Sequence, residues 1–302
     1  MLAIWYPKRE SQRFSGLSLV FFSLIVLANW ANAEISVKTS QKGDWSIAES
    51  SNFSVWMQGS TAEAIATVHS CERLKSQLQK DWCADSDEGL QPWLQPCVVV
   101  VHRSQGEYAA AVKSASPRSA GCTTTTLNGG RVIFRRIDLR VDSMAWRENA
   151  LPHEITHVIL ADLFPSHRLP EWLNEGLATL AESEQLRARR QSVLTSAWRS
   201  GQLPPLHRLV ADDSSSSTDL DVLYACRASL LRFLQQNGES TSLSEFTKVA
   251  VGSGCEQALR EIYHFERGLP ELEERWHQSL RTELGAQSTT KPMRTAGIPM
   301  SR

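Results

Sequence analysis

The sequence has no surplus of positive charge and no closely spaced pair of cysteines. It contains 32 Lys and Arg against 33 Asp and Glu among 302 residues, for a formal net charge of -1. Proteins that bind nucleic acid usually need a basic surface to neutralise phosphates, so nucleic acid is not an expected partner. The six cysteines include no Cys-x-x-Cys pair, and this absence argues against a zinc ribbon.

A long apolar run, FSGLSLVFFSLIVLANW, lies near the N-terminus at residues 14–30. Basic residues precede it, and ANA ends at Ala33 in the form that signal peptidase accepts. We therefore expect a signal peptide at 1–33, cleavage after Ala33, and a periplasmic or secreted protein of net charge -3. At about 17 residues the run approaches the lower length limit for a bilayer span. An uncleaved signal anchor is the alternative, and the only expected route to membrane association.

All the cysteines follow this segment, and an even number in an exported protein favours disulfides. Six cysteines allow about 15 connectivities, which the sequence alone does not distinguish. We expect Cys226 to pair with Cys255 and the others to pair within the first half. The alternative is that several are buried free thiols. The remaining four are Cys71, Cys83, Cys97 and Cys122.

Residues 34–142 mix strand and helix patterns. FSVWMQ alternates, TAEAIATVHSCERLKSQLQKDW has helical spacing, and CVVVVH is a short β-branched run. CTTTTLNGGRVIFRRIDLRV consists of two β-rich runs joined by Asn128, Gly129 and Gly130, which predicts a hairpin. This part should form a mixed sheet with helices packed on it, and a sheet edge just before HEITH.

Residues 143–283 have helical patterns throughout, and 284–302 lack apolar periodicity. The helical runs are MAWRENALPHEITHVILADLF, EWLNEGLATLAESEQLRARR, LDVLYACRASLLRFLQQNG and ELEERWHQSLRTEL. The sequence thus predicts an α+β protein: an N-terminal mixed-sheet subdomain, then an all-helical C-terminal half and a disordered tail.

The stretch LPHEITHVIL places His153 and His157 four residues apart. On a helix these positions share one face, so both rings can reach a single ion. Glu154 flanks the same site, where a carboxylate can take a proton from a metal-activated water. Pro152 requires either a helix start near Asn149, with the proline in the first turn, or a kink before His153.

A catalytic zinc of this type needs a third ligand from a separate element. Glu175, in PEWLNEGLATLAE, follows His157 by 18 residues, far enough for one helix to end and another to return. Pro165 and Pro170 bracket the intervening PSHRLP, and proline suits both the break and the next helix start. Two helices can therefore converge on one ion.

HEITH followed by WLNEGLA resembles the zinc motif of the gluzincin metallopeptidases, and most of all small exported peptidase MA-like domain proteins. The likeness extends from CVVVVHRSQGEY to the terminal helices. It implies one Zn²⁺ held by His153, His157 and Glu175, with Glu154 as general base. It also implies Tyr224 as a hydroxyl donor to the oxyanion. The alternative for Tyr224 is a packed helix residue with its hydroxyl at the surface.

Several family features are missing from the sequence. The glycine-methionine-glutamate-asparagine segment of the aminopeptidase branch is absent, and so are the glycine and third histidine of metzincins. Where thermolysin-like relatives have an aspartate that supports a histidine, this chain has Thr179. Glu182 could support a ligand histidine instead, but we expect it on a solvated helix face.

The expected function is an exported zinc endopeptidase that acts on peptide or protein substrates. The alternatives are a catalytically weak peptide-binding or envelope-structural protein on the same scaffold, and a zinc hydrolase of a non-peptide bond. The gluzincin resemblance also implies that a substrate peptide pairs with a sheet edge formed by GGRVIFRRIDLRV. Its arginines could anchor a substrate carboxylate, although we expect them to protect the edge: Arg131, Arg135, Arg136 and Arg140.

Overall fold

Strands occupy the first part of the chain and helices the second. The computed structural model describes residues 35–82, 93–113, 119–211, 219–239 and 242–286. The strands are β1 (Lys38–Lys42), β2 (Trp45–Glu49), β3 (Phe53–Gln58), β4 (Cys97–His102), β5 (Gly121–Asn128) and β6 (Arg131–Arg140). The helices are α1 (Thr61–Trp82), α2 (Gln105–Ala111), α3 (Ala150–Leu163), α4 (Glu171–Leu180), α5 (Glu184–Arg199), α6 (Leu206–Leu209), α7 (Leu220–Gln236), α8 (Ser242–Ser253), α9 (Cys255–Tyr263) and α10 (Leu269–Ala286). The α+β prediction is confirmed.

The described strands form one mixed sheet in the order β1-β2-β3-β4-β6-β5. β3 runs parallel to β4 and β4 parallel to β6, whereas β1–β2, β2–β3 and β5–β6 are antiparallel. The predicted hairpin turns at Gly129 and Gly130, both of which have positive φ. The prediction that GGRVIFRRIDLRV forms the edge is wrong. β6 pairs on both sides and buries Ile137 and Leu139, as an interior strand does, so β5 is the edge strand.

The arginines of this hairpin mostly bind carboxylates of the protein itself. Arg135 is buried and pairs with Asp162 of α3, and both guanidinium nitrogens Nε and Nη2 of Arg136 lie 2.7 Å from Asp138. Arg140 Nε lies 3.4 Å from Asp142 Oδ1. The expectation that these side chains protect a sheet edge is therefore wrong for all three, because the strand that carries them is not an edge.

Two hydrophobic clusters meet at α3. In the first, the sheet contributes Val55 and Val99, α1 contributes Val68, and α3 contributes Ile155. In the second, the later helices pack around Trp172, Leu231, Phe246 and Trp276, and Leu160 of α3 joins them. α3 therefore lies against the sheet on one side and the helices on the other.

The five described cysteines are all free thiols. The predicted Cys226–Cys255 disulfide is not present: Cys226 is buried in the helical core on α7, and Cys255 begins α9 and packs against that core. Burial raises the pKa of both thiols to about 12. Both side chains thus act as small apolar groups, the alternative that the sequence left open. Cys83 lies outside the described residues.

The predicted signal peptide at 1–33 also lies outside the described residues, as does most of the predicted tail. The last described helix, α10, ends at Ala286, slightly beyond residue 284, where the sequence predicts the tail to begin. None of the described helices combines the length and apolarity needed to cross a membrane.

Candidate metal centre

α3 presents two histidines on one face and its apolar residues on the other. The rings of His153 and His157 have centroids 4.9 Å apart. Leu151, Ile155 and Ile159 recur at four-residue spacing and are at most 1% exposed in the sheet core. Each such burial contributes about 2 kcal/mol, so the helix, and with it the histidine pair, is fixed in orientation.

α3 begins at a point that places Pro152 where it does not weaken the helix. α3 starts at Ala150 with Asn149 at the N-cap, so Pro152 falls in the first turn. There a missing amide removes no bond from the helix interior. The amide of His153 still donates to the carbonyl of Asn149 at 3.3 Å, and the carbonyl of Pro152 accepts from Thr156 Oγ1 at 2.8 Å. The structure thus has the first of the two helix starts that the sequence allowed.

Glu175 on α4 faces both histidines. Its carboxylate oxygens lie 3.5 Å from His153 Nε2 and 3.6 Å from His157 Nε2. One ligand atom from each of the three residues lies within 4.8 Å of the other two. Pro170 is the N-cap of α4 and leaves that helix free to return past α3. The three predicted ligands are therefore together in the structure.

The other nitrogen of each ring is engaged by an oxygen. His153 Nδ1 lies 3.2 Å from Glu182 Oε1, and His157 Nδ1 lies 3.1 Å from Asn174 Oδ1. Both partners are acceptors, so a ring in its neutral form carries its proton on Nδ1 and keeps a lone pair on Nε2. Both lone pairs then point toward Glu175, as metal ligation requires.

Glu182 is not on a solvated helix face, contrary to the sequence expectation. The run EWLNEGLATLAESEQLRARR forms two helices, and Glu182 lies in the break between α4 and α5. It is 4% exposed and turned toward His153. Arg190 of α5 holds it through Nε and Nη2, each 2.6 Å from a carboxylate oxygen. Burial opposes ionisation of Glu182, but His153 and Arg190 outweigh it and lower its pKa.

Without a bound cation, electrostatics favour the charged forms of His153 and Glu175. Burial disfavours the charged form of His153, but contacts with Glu175 and Glu182 outweigh it and raise its pKa to about 10. Burial likewise opposes ionisation of Glu175, but His153, His157 and Tyr224 lower its pKa to about 2. His153 therefore holds a proton that a divalent cation can displace, because the cation supplies the positive charge instead.

Glu154 lines the same cleft as the histidine pair and contacts the edge strand. Thr123 of β5 places its Oγ1 2.7 Å from Glu154 Oε2 and 3.0 Å from the Glu154 carbonyl oxygen. A Cβ atom at Gly121 would lie 2.7 Å from Glu154 Cγ, so only glycine fits beside this side chain. The carboxylate is thus positioned by the first residues of β5.

Tyr224 of α7 lies at the same site. It lines the cleft together with the three ligands, and its hydroxyl interacts with the Glu175 carboxylate. Burial and the proximity of Glu175 raise the pKa of Tyr224, so the phenol keeps its proton. The guanidinium of Arg190 lies 5.1 Å from the centre of the ring. Tyr224 is therefore a protonated hydroxyl at the metal site, whereas the alternative prediction placed it at the surface.

These residues form the floor of a cleft of about 740 Å³. β5 contributes one wall through Gly121, Thr123, Thr125 and Leu127, and the loop between α3 and α4 contributes the other. The volume is within the usual range for ligand sites, roughly 300 to 1,000 Å³.

The donor set fits zinc. Two imidazoles and a carboxylate are the ligands of many catalytic zinc sites. Bond lengths of 2.0 to 2.1 Å in a tetrahedral site place neighbouring ligand atoms about 3.3 Å apart. The 3.5 and 3.6 Å between the histidines and Glu175 are close to this spacing. The three donor atoms, all within 4.8 Å of one another, therefore lie close to the arrangement that one ion needs.

A family model described as the peptidase MA superfamily matches residues 110–282, more than half of the 302-residue chain. The chain belongs to the peptidase MA superfamily. The matched segment includes the edge strand and every residue described above at the metal centre, and it confirms the resemblance to gluzincins. No curated protein matches the chain.

Three residues of this peptidase MA site were not predicted from the sequence: Asn174, Thr123 and Arg190. Asn174 stands directly before the ligand Glu175, where a polar residue one position from a ligand could have suggested a partner for His157. Thr123 stands in a run of four threonines with no feature that singles it out. Likewise, nothing in the run LRARR distinguishes Arg190 from the other arginines. Only the tertiary fold brings these residues to the ligands.

Proposed function

We propose that the protein is an exported zinc metallopeptidase that hydrolyses peptide bonds. The observation that carries the proposal is the convergence of His153, His157 and Glu175 on one point in the floor of a cleft, with Glu154 beside them. Membership of the peptidase MA superfamily supports a peptidase scaffold and peptide or protein substrates. The donor set of two imidazoles and one carboxylate suits zinc.

Each residue takes a distinct role in this proposal. Zn²⁺ bound by the three ligands would supply a Lewis acid that polarises a water molecule and the scissile carbonyl. Glu154 accepts a proton as the water oxygen bonds to the carbonyl carbon, and passes it to the amine when the C–N bond breaks. Tyr224 donates a hydrogen bond from its hydroxyl to the carbonyl oxygen as negative charge develops there.

The edge strand supports an extended substrate. Among the described strands, β5 pairs only with β6, so its outer edge has free main-chain groups beside the metal centre. A peptide that adds to this edge forms main-chain hydrogen bonds whatever its sequence. Such binding suits an endopeptidase. Pairing of the substrate with β5 replaces the pairing with GGRVIFRRIDLRV that was expected from the sequence.

We also propose that the protein acts in the periplasm or outside the cell. The support is the N-terminal sequence alone: basic residues, an apolar run, and ANA ending at Ala33. Cell fractionation and N-terminal sequencing of the purified protein test this. A mature N-terminus at Glu34 is the expected result, and an intact N-terminus in the membrane fraction would favour the anchor.

The decisive experiment measures bound metal and the cleavage of a mixed peptide library by the purified protein. We expect one Zn²⁺ per chain and cleavage of internal peptide bonds. Glu154→Gln should retain zinc but lower kcat by a factor on the order of 10² to 10⁴. Glu175→Ala should lower zinc affinity by more than about 100-fold, beyond the usual effect of an outer partner.

Other results would favour the other functions. Full activity in Glu154→Gln would reject the general base, and full zinc affinity in Glu175→Ala would reject the third ligand. Stoichiometric zinc without cleavage of any peptide would favour a peptide-binding protein. Cleavage of an ester or another non-peptide bond in preference to peptides would favour a hydrolase of that bond.

A further inference from the structure

The loop between α3 and α4 carries an arginine along one wall of the cleft. The residues of this wall are Phe164, Pro165, Ser166, His167, Arg168 and Leu169. Leu169 is 9% exposed, and the ring of Pro165 restricts the backbone further. A Cβ atom at Gly130 would lie 3.3 Å from Ser166 Oγ, so the loop also touches the turn of the β5–β6 hairpin. The backbone that carries Arg168 is therefore held in place.

Arg168 has no partner among the described residues. Its side chain is exposed, and no hydrogen bond or ion pair with them engages it. The nearest acidic residue along the chain after it is Glu171, and the buried guanidinium of Arg227 lies 3.6 Å from Glu171 Oε1. The arginines of β6 differ from Arg168 because most of them bind carboxylates of the protein. The charge of Arg168 is thus available to a ligand.

The rest of the cleft makes this charge distinctive. No other arginine and no lysine is among the described residues that line it. Apolar side chains also line the cleft, among them Phe164 and the half-exposed Leu127. Lower local polarity strengthens an ion pair relative to open water. A planar guanidinium binds a carboxylate through two parallel hydrogen bonds, so a carboxylate is the group that fits.

We propose that Arg168 determines specificity by binding a carboxylate of the substrate a few residues from the scissile bond. Arg168 and Glu175 line the same cleft. Glu171 precedes Glu175 by about 6 Å along α4, and Arg168 lies three residues before Glu171, in the non-helical segment that leads into this helix. An extended peptide covers about 3.3 Å per residue, so a substrate that reaches past the start of α4 spans several residues between the two.

This proposal rests on the proposed peptidase function. The carboxylate has two sources, the side chain of Asp or Glu and the carboxyl terminus of the substrate. Both present the same chemistry to Arg168, but they imply different cleavage patterns. A side chain allows cutting within long chains, whereas a carboxyl terminus directs cutting to a point near the end.

The experiment starts from a neutral peptide that the wild-type protein cuts, acetylated and amidated at its ends. One series places Glu or Gln at each of four positions on either side of the scissile bond, and a second replaces the amide by a free carboxyl terminus. We expect kcat/KM to rise about tenfold when a carboxylate stands at the favoured position, as a charge-assisted contact does. Arg168→Ala should remove this gain, so that the Glu and Gln peptides are cut with equal kcat/KM. Arg168→Glu should invert it in favour of Lys.

The controls separate a local contact from overall charge. Arg189→Ala on the exposed face of α5 removes the same charge away from the cleft and should leave the preference intact. Equal kcat/KM for Glu and Gln peptides in the wild-type protein, or a preference that survives in Arg168→Ala, would overturn the proposal. If the wild-type protein cuts no peptide, the proposed function fails by itself. The same peptides are then tested for binding to zinc-loaded Glu154→Gln, where a Kd independent of Arg168 overturns the inference.

Discussion

Two clusters in this molecule combine a histidine, a carboxylate and an arginine, one in the sheet and one at the metal centre. In the sheet cluster, His102 Nε2 lies 2.7 Å from Asp138 Oδ1, and Arg136 holds the same carboxylate. In the helix cluster, His153 Nδ1 lies 3.2 Å from Glu182 Oε1, and Arg190 holds that carboxylate. The chemistry is the same, and in both clusters the pKa of the carboxylate is lowered.

The difference lies in the surroundings of the two histidine rings. His102 is 5% exposed, and the ring of Tyr108 packs edge-on against it at 6.0 Å. His153 instead directs Nε2 at Glu175, beside the matching nitrogen of His157 and the cleft. A carboxylate partner thus orients a histidine without deciding its use. The sheet cluster ties β4 to β6, whereas the helix cluster orients a candidate metal ligand.

The largest expected effect comes from breaking the sheet cluster. Asp138→Asn removes a buried charge that compensates Arg136, and it alters the hydrogen bond between Asp138 and His102. Loss of one partner of a buried pair costs about 3 to 5 kcal/mol, and we expect about 3 because the Arg136 side chain is 35% exposed. Urea unfolding measures this free energy. Zinc content should not change, and the exposed Asp44→Asn serves as the control.

Acid should reduce this effect of Asp138→Asn. Burial opposes ionisation of Asp138, but hydrogen bonds from Arg136 and His102 outweigh it and lower its pKa. The stabilisation is therefore present above the unfolded-state pKa of about 3.9 and is lost as pH falls through the lower folded-state value. The gap between the wild-type protein and the variant should narrow below about pH 4. A constant gap down to pH 2, or a loss of zinc in the variant, would contradict the assignment of this cluster to stability.

The matching change in the helix cluster should mainly lower the affinity of the protein for zinc. Glu182→Gln keeps the shape of the side chain but removes the charge that orients His153. Outer partners of ligand histidines typically contribute 10- to 100-fold in metal affinity, about 1.4 to 2.7 kcal/mol. Competition with a zinc chelator measures this, and Glu184→Gln, exposed and two residues away, is the control. An unchanged zinc Kd in Glu182→Gln would make the two clusters equivalent.

Local patterns explain how much of the fold could be predicted. FSVWMQ, CVVVVH and the hairpin runs form the strands that their alternation and β-branched residues predict, and residues 61–82 form the predicted helix. Asn128-Gly129-Gly130 provides the predicted turn because both glycines adopt positive φ. Each of these patterns lies within a few consecutive residues, so it can be recognised without knowledge of the tertiary fold. β1, which is exposed throughout, has no apolar pattern and was not predicted.

What the sequence could not supply is the spatial order of its elements. The place of β6 between β4 and β5 depends on a long crossover, and the break at Glu182 has no proline or glycine to mark it. The histidine spacing predicts the ligands because helix geometry alone brings them together. The partners of those ligands come from other elements, so no spacing reveals them.

The smallest expected effect tests where the sheet meets the metal centre. On β5, Cys122 pairs in register with Asp138 of the sheet cluster, and the next residue, Thr123, contacts Glu154. Thr123→Val keeps the shape but removes the hydroxyl, and we expect kcat to fall about tenfold as Glu154 loses its orientation, about 1.4 kcal/mol. KM and zinc content should stay unchanged. Thr123→Ser should restore kcat, while the exposed Thr126→Val should leave it unaltered. If the serine variant is as slow as the valine variant, the methyl group and not the hydroxyl matters, and the sheet contributes packing alone to the site.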